Sequence, residues 1–128
     1  MVGGTFMPKL NRIVLCFAIV LPVLAQAADT RNLLGEGTAS YYGAELAGKR
    51  TANGERFDPG ALTAAHRTLA FDSRVAVTNI ANGKEVIVRI NDRGPWGRGR
   101  ILDMSHAAAK QLDMHRVGTA RVRLRLLD

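Results

Sequence analysis

The clearest pattern in the chain has a period of two. From Glu85 to Ile90, Val86, Val88 and Ile90 alternate with Glu85, Ile87 and Arg89, which predicts a β-strand with one buried face. Ser73 to Asn79 repeats the alternation, with Val75 and Val77 on one face and Arg74, Ala76 and Thr78 on the other. Asn82-Gly83 lies between these segments, and both residues tolerate the positive φ of a tight turn, so the pair is predicted to be a β-hairpin. Thr119 to Leu127 places Ala120, Val122, Leu124 and Leu126 inward and Arg121, Arg123 and Arg125 outward. Thr38–Tyr42 and Ile101–Met104 read as further short strands. Ser105 is placed to cap a helix from His106 to Leu112, a stretch of good helix formers. Ala61 to His66 fits either a short helix or a strand. Ala44 to Gly60 shows no sustained period and reads as a long surface loop, where function is often found. Many short strands and one helix suggest an all-β fold, a small closed barrel without exposed edges. The pattern does not give the strand order.

The first residues belong to a different class. Lys9 and Arg12 precede an apolar run from Ile13 to Leu24, and Ala25-Gln26-Ala27 offers a small-residue cleavage site. This predicts a secretory signal peptide over residues 1–27, starting at Met1 or Met7, with a run too short for a stable membrane span. Cys16, the only cysteine, lies inside that run rather than at its end, so lipidation is not expected. The mature chain would be cysteine-free in an oxidising compartment and would fold without disulfides. Residues 28–35 read as a flexible lead-in and 36–128 as the one folded domain, expected to act as a monomer. Cleavage leaves 101 residues and lowers the net charge from +7 to about +5, with 16 basic against 11 acidic side chains. A small basic secreted protein points to an anionic partner. Sparse aromatics argue against a single-stranded nucleic-acid platform.

Candidate chemistry rests on carboxylates. His66, His106 and His115 lack metal-ligand spacing, so no metal and no cofactor is expected. Neither a G-x-S-x-G elbow nor a phosphate-binding glycine loop occurs. Asp92 lies where a rigid strand meets the Gly94-Pro95 stop, held yet reachable, and by itself reads equally as a turn residue. Asn53-Gly54 makes a tight turn that could aim Glu55, or leave it a solvated loop acid. His66 is either a structural hydrogen-bonding histidine or an active one. Trp96, Tyr41 and Tyr42 are core residues or platforms for the apolar face of a pyranose, with Trp96 favoured as exposed. The arginine row at 121, 123 and 125 is a solvated face or a rail for an anionic polymer.

Together the motifs resemble the rare-lipoprotein-A (RlpA) family of secreted double-psi β-barrel proteins. They are Gly37-Thr38-Ala39-Ser40-Tyr41-Tyr42-Gly43, Thr51-Ala52-Asn53-Gly54-Glu55, Thr63-Ala64-Ala65-His66, Val77-Thr78-Asn79, Asn91-Asp92-Arg93-Gly94-Pro95 and Ile101-Leu102-Asp103-Met104-Ser105. The resemblance implies a six-stranded barrel with one or two short helices and a groove across it. It also implies a periplasmic lytic transglycosylase that cuts the β-1,4 bond between N-acetylmuramic acid and N-acetylglucosamine of peptidoglycan. The expected substrate is glycan stripped of stem peptides, with an amidase as a partner that strips them. Family members often carry a lipobox and a C-terminal glycan-binding domain; neither pattern is found in this sequence, and targeting through them is not expected.

The resemblance places the functional positions on Glu55, His66 and Asp92. An acid must protonate the leaving oxygen as an oxocarbenium-like centre develops. If the sugar's own 6-hydroxyl attacks, giving a 1,6-anhydro end, one acid/base can serve both steps. Asp92, at the end of an apolar strand, is expected to be that proton donor, with desolvation favouring its neutral form. Glu55 and His66 would position the sugar or stabilise charge. Tyr41, Tyr42, Asn53, Asn91, Arg93 and Trp96 complete the substrate-binding candidates, although Arg93 by itself reads as surface. Two alternatives stand beside this reading. One is an expansin-like wall-binding module without catalysis. The other is an inverting hydrolase, with Glu55 or Asp103 as general base.

Overall fold

The inward residues of the alternating segments meet in one core. Val75, Val77, Val86, Val88, Ile90, Leu102, Met104, Val122 and Leu124 are each no more than 3% exposed. A computed structural model describes residues 32–128; the expected signal peptide and the first half of the lead-in lie outside the described residues. Six strands run in the order β1 (Leu33–Tyr41), β2 (Thr63–Ala65), β3 (Arg74–Asn79), β4 (Glu85–Asp92), β5 (Arg100–Met104) and β6 (Ala120–Leu126), with helix α1 (His106–Gln111) between the last two. A 3-10 turn covers Ala44–Leu46.

The strands close into a barrel in the order β1-β5-β2-β4-β3-β6. β3 and β4 form the expected antiparallel hairpin, Val75 opposite Val88 and Val77 opposite Val86. The pairs β1–β5 and β2–β4 are parallel, so their partners are reached by crossovers that leave no local sequence signal. Closure comes from β6, which pairs with β3 on one edge and β1 on the other. Gly37 is needed where β1 lies down on β5: a Cβ there would sit 2.7 Å from Ile101 Cγ2.

Several boundaries and faces differ from expectation. β1 begins at Leu33, not Thr38, because residues from Leu33 to Ala39 pair with β6; the end of the expected flexible lead-in is therefore strand. Ala61–His66 resolves as the three-residue strand β2, flanked by β4 and β5. Ala76 is buried although its alternation points it outward, because its short methyl lies between the longer side chains of Ile87 and Arg125 in the flanking strands. The arginine row does face outward, but Arg123 pairs with Glu36 at 2.8 Å and Arg125 approaches Glu85 at 3.8 Å. Two of its three charges are thus partly neutralised, which favours the solvated face over the rail.

Ser105 caps α1 as its hydroxyl accepts from the Ala108 amide at 3.3 Å. At the other end, Asn79 and Asn82 both donate to the Leu112 carbonyl, at 2.9 and 3.0 Å, satisfying a group that a helix terminus leaves without an internal partner. The helix packs Ala108 and Ala109 into the core. No helix among the described residues is long and apolar enough to cross a membrane.

Leu102 is fully buried and neighbours Asp103 on β5. Leu102→Ala is expected to cost about 2–5 kcal/mol through lost burial and the cavity left behind. Urea unfolding followed by circular dichroism measures this; a loss under 1 kcal/mol would show that β5 is not part of the core.

Candidate functional site

β2 determines which polar residues meet. Ala65 is opposite Asp92 on one side and Asp103 on the other, and Asp103 is in turn opposite Ser40 of β1. Leu102, Met104, Ala64 and Ile90 belong to the core, so Asp103 and Ala65 point outward by strand alternation. Asp92 has the same parity as Ile90 and would by alternation point inward. The register, however, jumps from Ala64 opposite Ile90 to Ala65 opposite Asp92. Asn91 is the extra residue of a β-bulge, and a bulge re-aims the next side chain. Asn91 is consequently buried at 3% exposure, and Asp92 turns out beside Asp103. The expectation that Asn91 contacts substrate does not survive this burial.

Three donors converge on Asp92. Tyr42 Oη donates to Oδ2 at 2.7 Å, while the amides of Ala52 and Arg93 donate to Oδ1, both at 2.9 Å. All three are donors, so in this arrangement Asp92 accepts only. That geometry suits a carboxylate. The Tyr42 ring is braced edge-on by Phe57 at 4.9 Å. Burial pushes the Tyr42 phenol well above its ordinary range, and the bond to Asp92 and the charges of Asp92 and Asp103 add to this; it remains a donor.

Ala52 is delivered by the segment from Gly48 to Phe57, which is a small hairpin rather than an open loop. Gly48 N donates to Phe57 O at 2.8 Å, Phe57 N to Lys49 O at 2.7 Å and Thr51 N to Glu55 O at 2.7 Å. Gly54 turns the chain at φ +93°, a conformation that favours glycine. Glu55 locks this hairpin to β4. Its carboxylate takes two bonds from Arg89, at 2.6 and 2.8 Å, and one from Asn53 Nδ2 at 2.6 Å. The Arg89 bonds, helped by Asn53, pull the Glu55 pKa down to about 2. Glu55 is therefore a fixed anion that positions the turn, and does not reach Asp92. Asn53 likewise serves the turn, its Oδ1 accepting from Thr51 Oγ1 at 2.7 Å and from Glu55 N at 3.1 Å.

His66 follows β2 directly, and its amide donates to the Asp92 carbonyl at 3.2 Å. Its Nδ1 accepts from the amides of Thr68 and Leu69, at 3.2 and 3.1 Å, so the ring hydrogen resides on Nε2. Burial lowers the His66 pKa, and nearby Arg93 and Arg67 lower it further. His66 is thus a neutral ring with a single N–H donor. Arg93 is not free surface: its guanidinium stacks 4.0 Å over the Phe71 ring and donates to the His66 carbonyl at 3.2 Å.

The aromatic candidates separate. Tyr41 packs against the core beside His106, donates its hydroxyl to the His115 carbonyl, and shares one hollow with Tyr42. Trp96 is 74% exposed. Its loop is held by Arg67, which donates to the carbonyls of Pro95, Gly97 and Arg100. Sequence reasoning missed Arg67, Arg89 and Ser40, because each acts through a partner distant in the chain. A hollow of about 190 Å3 opens at Asp92 and Tyr42, lined also by Lys49, Arg50, Thr51 and Phe57. Tyr42 also borders a second hollow of about 270 Å3, with His106 and Pro59. No group of three or more His, Cys, Asp or Glu residues suited to a metal occurs among the described residues.

Residues 35–124 match the sequence family described as lytic transglycolase. A Pseudomonas aeruginosa protein named endolytic peptidoglycan transglycosylase RlpA is 52% identical over 100 residues, which is 78% of this chain and 29% of that protein. The Neisseria meningitidis protein of the same name is 53% identical over 88 residues, 69% of this chain and 37% of that one. The chain spans about a third of the length of the curated relatives it matches. Among solved structures, a Streptomyces papain inhibitor aligns with a TM-score of 0.58 at 18% identity, covering 75% of this chain and 97% of its own. A Clavibacter michiganensis expansin gives 0.58 at 19% identity, covering 73% and 50%. At such identities these two structures show the fold alone, the double-psi β-barrel.

The Glu55 clamp makes stability depend on acid pH. Its folded pKa of about 2 lies below the ordinary 4.5, so its stabilisation is fully present above 4.5 and lost as pH falls through about 2. Thermal melts of wild type and Glu55→Gln from pH 2 to 7 are expected to differ most above pH 4.5 and to converge near pH 2. Parallel curves across the whole range would remove Glu55 from the clamp.

Proposed function

Because the chain belongs to the lytic transglycolase family, we propose that it is an exported, envelope-located enzyme that cleaves peptidoglycan glycan strands. The bond cut is the β-1,4 link from N-acetylmuramic acid to N-acetylglucosamine, and the product carries a 1,6-anhydro end. The observation that carries this reading is the Asp92 carboxylate, turned outward by the bulge and fixed by Tyr42, Ala52 and Arg93 at an open hollow. A preorganised anion suits the positive charge that develops at the anomeric carbon. It is held by protein donors before the substrate arrives, so little reorganisation is needed as the bond breaks.

The surrounding residues have distinct tasks in this reading. The Nε2–H of His66 is a neutral donor for a sugar oxygen or acetamido carbonyl. Glu55 positions the hairpin that supplies the Ala52 amide. Exposed Trp96, on a loop anchored by Arg67, offers a face for a pyranose ring. Lys49 and Arg50 border the hollow, and a cationic border suits muramic acid whose lactyl carboxylate is free. A stem peptide converts that carboxylate to a neutral amide, so peptide-stripped glycan, the product of an amidase, is the preferred substrate.

The test uses the purified protein with intact and amidase-stripped peptidoglycan, and mass spectrometry of the products. Wild type is expected to release anhydro-muramyl ends, faster from stripped material, and Asp92→Asn to lower their formation about 100-fold or more, as for loss of a preorganised electrostatic group. Reducing ends in place of anhydro ends would identify a hydrolase. Retention on unchanged glycan would identify a binding module of the expansin kind.

A further inference from the structure

We propose that Asp103 is the proton-carrying carboxyl of this site, facing the Asp92 anion across the methyl group of Ala65. The assignment rests on the glycan-cleaving reading and gives it the acid that Asp92 is poorly arranged to supply. Ala65 is the register partner of both aspartates. Two inter-strand spacings therefore put their Cα atoms roughly 10 Å apart, with both side chains on the outer face. The residue between them is alanine, 1% exposed, and the next one across is Ser40, 7% exposed, so nothing larger than a methyl group stands between the two carboxyls.

The two acids are held differently. Asp92 takes three donors spread over both oxygens. Asp103 takes one: Ser40 Oγ donates to Oδ1 at 3.1 Å, and Oδ2 has no hydrogen-bond partner among the described residues. Asp103 is half-buried between the fully buried Leu102 and Met104. Ser40 on β1, Arg100 on its own strand, Asp92 on β4 and the Tyr42 phenol are the polar groups that face it; β2 contributes only Ala65. Burial is the largest influence and raises the Asp103 pKa. The Ser40 bond and Arg100 oppose this, and the Asp92 charge adds to it. Tyr42 is no rival acid, since burial holds its proton firmly.

The proton cycle closes without a further reactant. Asp103 Oδ2–H gives its proton to the glycosidic oxygen as the bond from that oxygen to the anomeric carbon breaks. The electron pair of the bond leaves with the oxygen, which departs as the 4-hydroxyl of N-acetylglucosamine. The 6-hydroxyl oxygen of the muramyl residue bonds to the anomeric carbon, and its proton passes to Asp103, restoring the acid. Asp92 remains charged throughout and stabilises the oxocarbenium-like centre.

A leaving group that needs no proton separates this role from a positional one. Wild type, Asp103→Asn and Asp92→Asn would each be given stripped glycan and a short muramyl glycan with fluoride at its anomeric carbon. Asp103→Asn is expected to lose about 100-fold or more on the natural bond, in the range of general acid catalysis, but under tenfold on the fluoride. Asp92→Asn is expected to lose heavily on both. Fold is not at issue for Asp103→Asn: Asn keeps the oxygen that accepts from Ser40. An acid whose folded pKa is raised weakens folding as pH rises through that value, so the variant should melt no lower than wild type at pH 7. Carbon-13 NMR of the aspartate carboxyls is an independent readout, with Asp103 expected to titrate above the ordinary 3.8.

Equal losses by Asp103→Asn on both substrates, or near-wild-type cleavage of the natural glycan, would overturn the assignment while leaving the glycan-cleaving reading intact. So would titration of Asp103 at or below 3.8. Failure of the wild-type protein to cleave either substrate would overturn the parent reading and this assignment with it.

Discussion

Thr63, Ala64 and Ala65 form a strand of only three residues, buried along its whole length and bonded on both edges, to β4 in parallel and to β5 in antiparallel. Its insertion between strands that are not its sequence neighbours is the constraint on which the outer groove depends. Without β2 in that slot, Asp92 and Asp103 would belong to unrelated edges. With it, four strands present Ser40, Asp103, Ala65 and Asp92 in one row. Small side chains within that row are as important as the charged ones. A bulkier residue at 65 would stand between the carboxyls, and a bulkier one at 40 would displace the Ser40 hydroxyl that donates to Asp103.

Three acids in the same neighbourhood are held in three different ways. Glu55 is neutralised by Arg89 and hydrogen-bonded by Asn53, and its shift is downward. The Asp92 carboxylate is met by two amides and a phenol, a set of fixed dipoles, and among the described residues no cation bonds to it. Asp103 has the least help, and burial dominates. Environments that separate otherwise similar carboxyls in this manner are how one scaffold provides both an anion and an acid near neutral pH. The sugar-binding and proton-transfer roles proposed above follow from that division, because residue type alone does not distinguish Asp92 from Asp103.

Much of the fold was legible in the chain, and the reasons are local. The β3–β4 hairpin is written in alternation plus Asn82-Gly83, and α1 in the Ser105 cap followed by alanines. β2 was ambiguous because three small, fully buried residues have no period. Its neighbours were illegible for a different cause: parallel pairing across a crossover leaves no trace in adjacent residues. The site shows the same divide. Asp92 is marked by its motif and its place at a strand end, but its outward turn is not, since the bulge at Asn91 is a matter of register. The donors from Ala52 and Tyr42 come from 40 and 50 residues away. Asp103 carried a readable signal, a single acid within an apolar strand, yet only pairing with Ala65 shows what it faces.

The weakest support in the groove is also the one nearest the substrate. The hairpin that brings the Ala52 amide to Asp92 is fastened to β4 by the Glu55–Arg89 pair, whose side chains are 36% and 38% exposed, and by the Asn53 amide, which donates to the Asn91 carbonyl at 3.3 Å. Exposed ion pairs contribute little to stability and are screened by salt, although the bidentate geometry here makes this one better than most. By contrast, Asp92 itself is backed by the barrel, with Ile90 and Val88 fully buried behind it. Parts that must admit a ligand are drawn from the low-stability end of a structure. The groove therefore has a rigid wall, formed by β4, β2 and β5 and carrying both aspartates, and a lightly held wall that supplies one donor and the cationic border. A long glycan strand cannot thread into a closed pocket and must enter from the side. The hollow at Asp92 is open on that side, so the strand meets an Ala52 amide already in place. In the proposed reaction, the Glu55–Arg89 pair thus keeps the Ala52 amide on Asp92 before the glycan arrives.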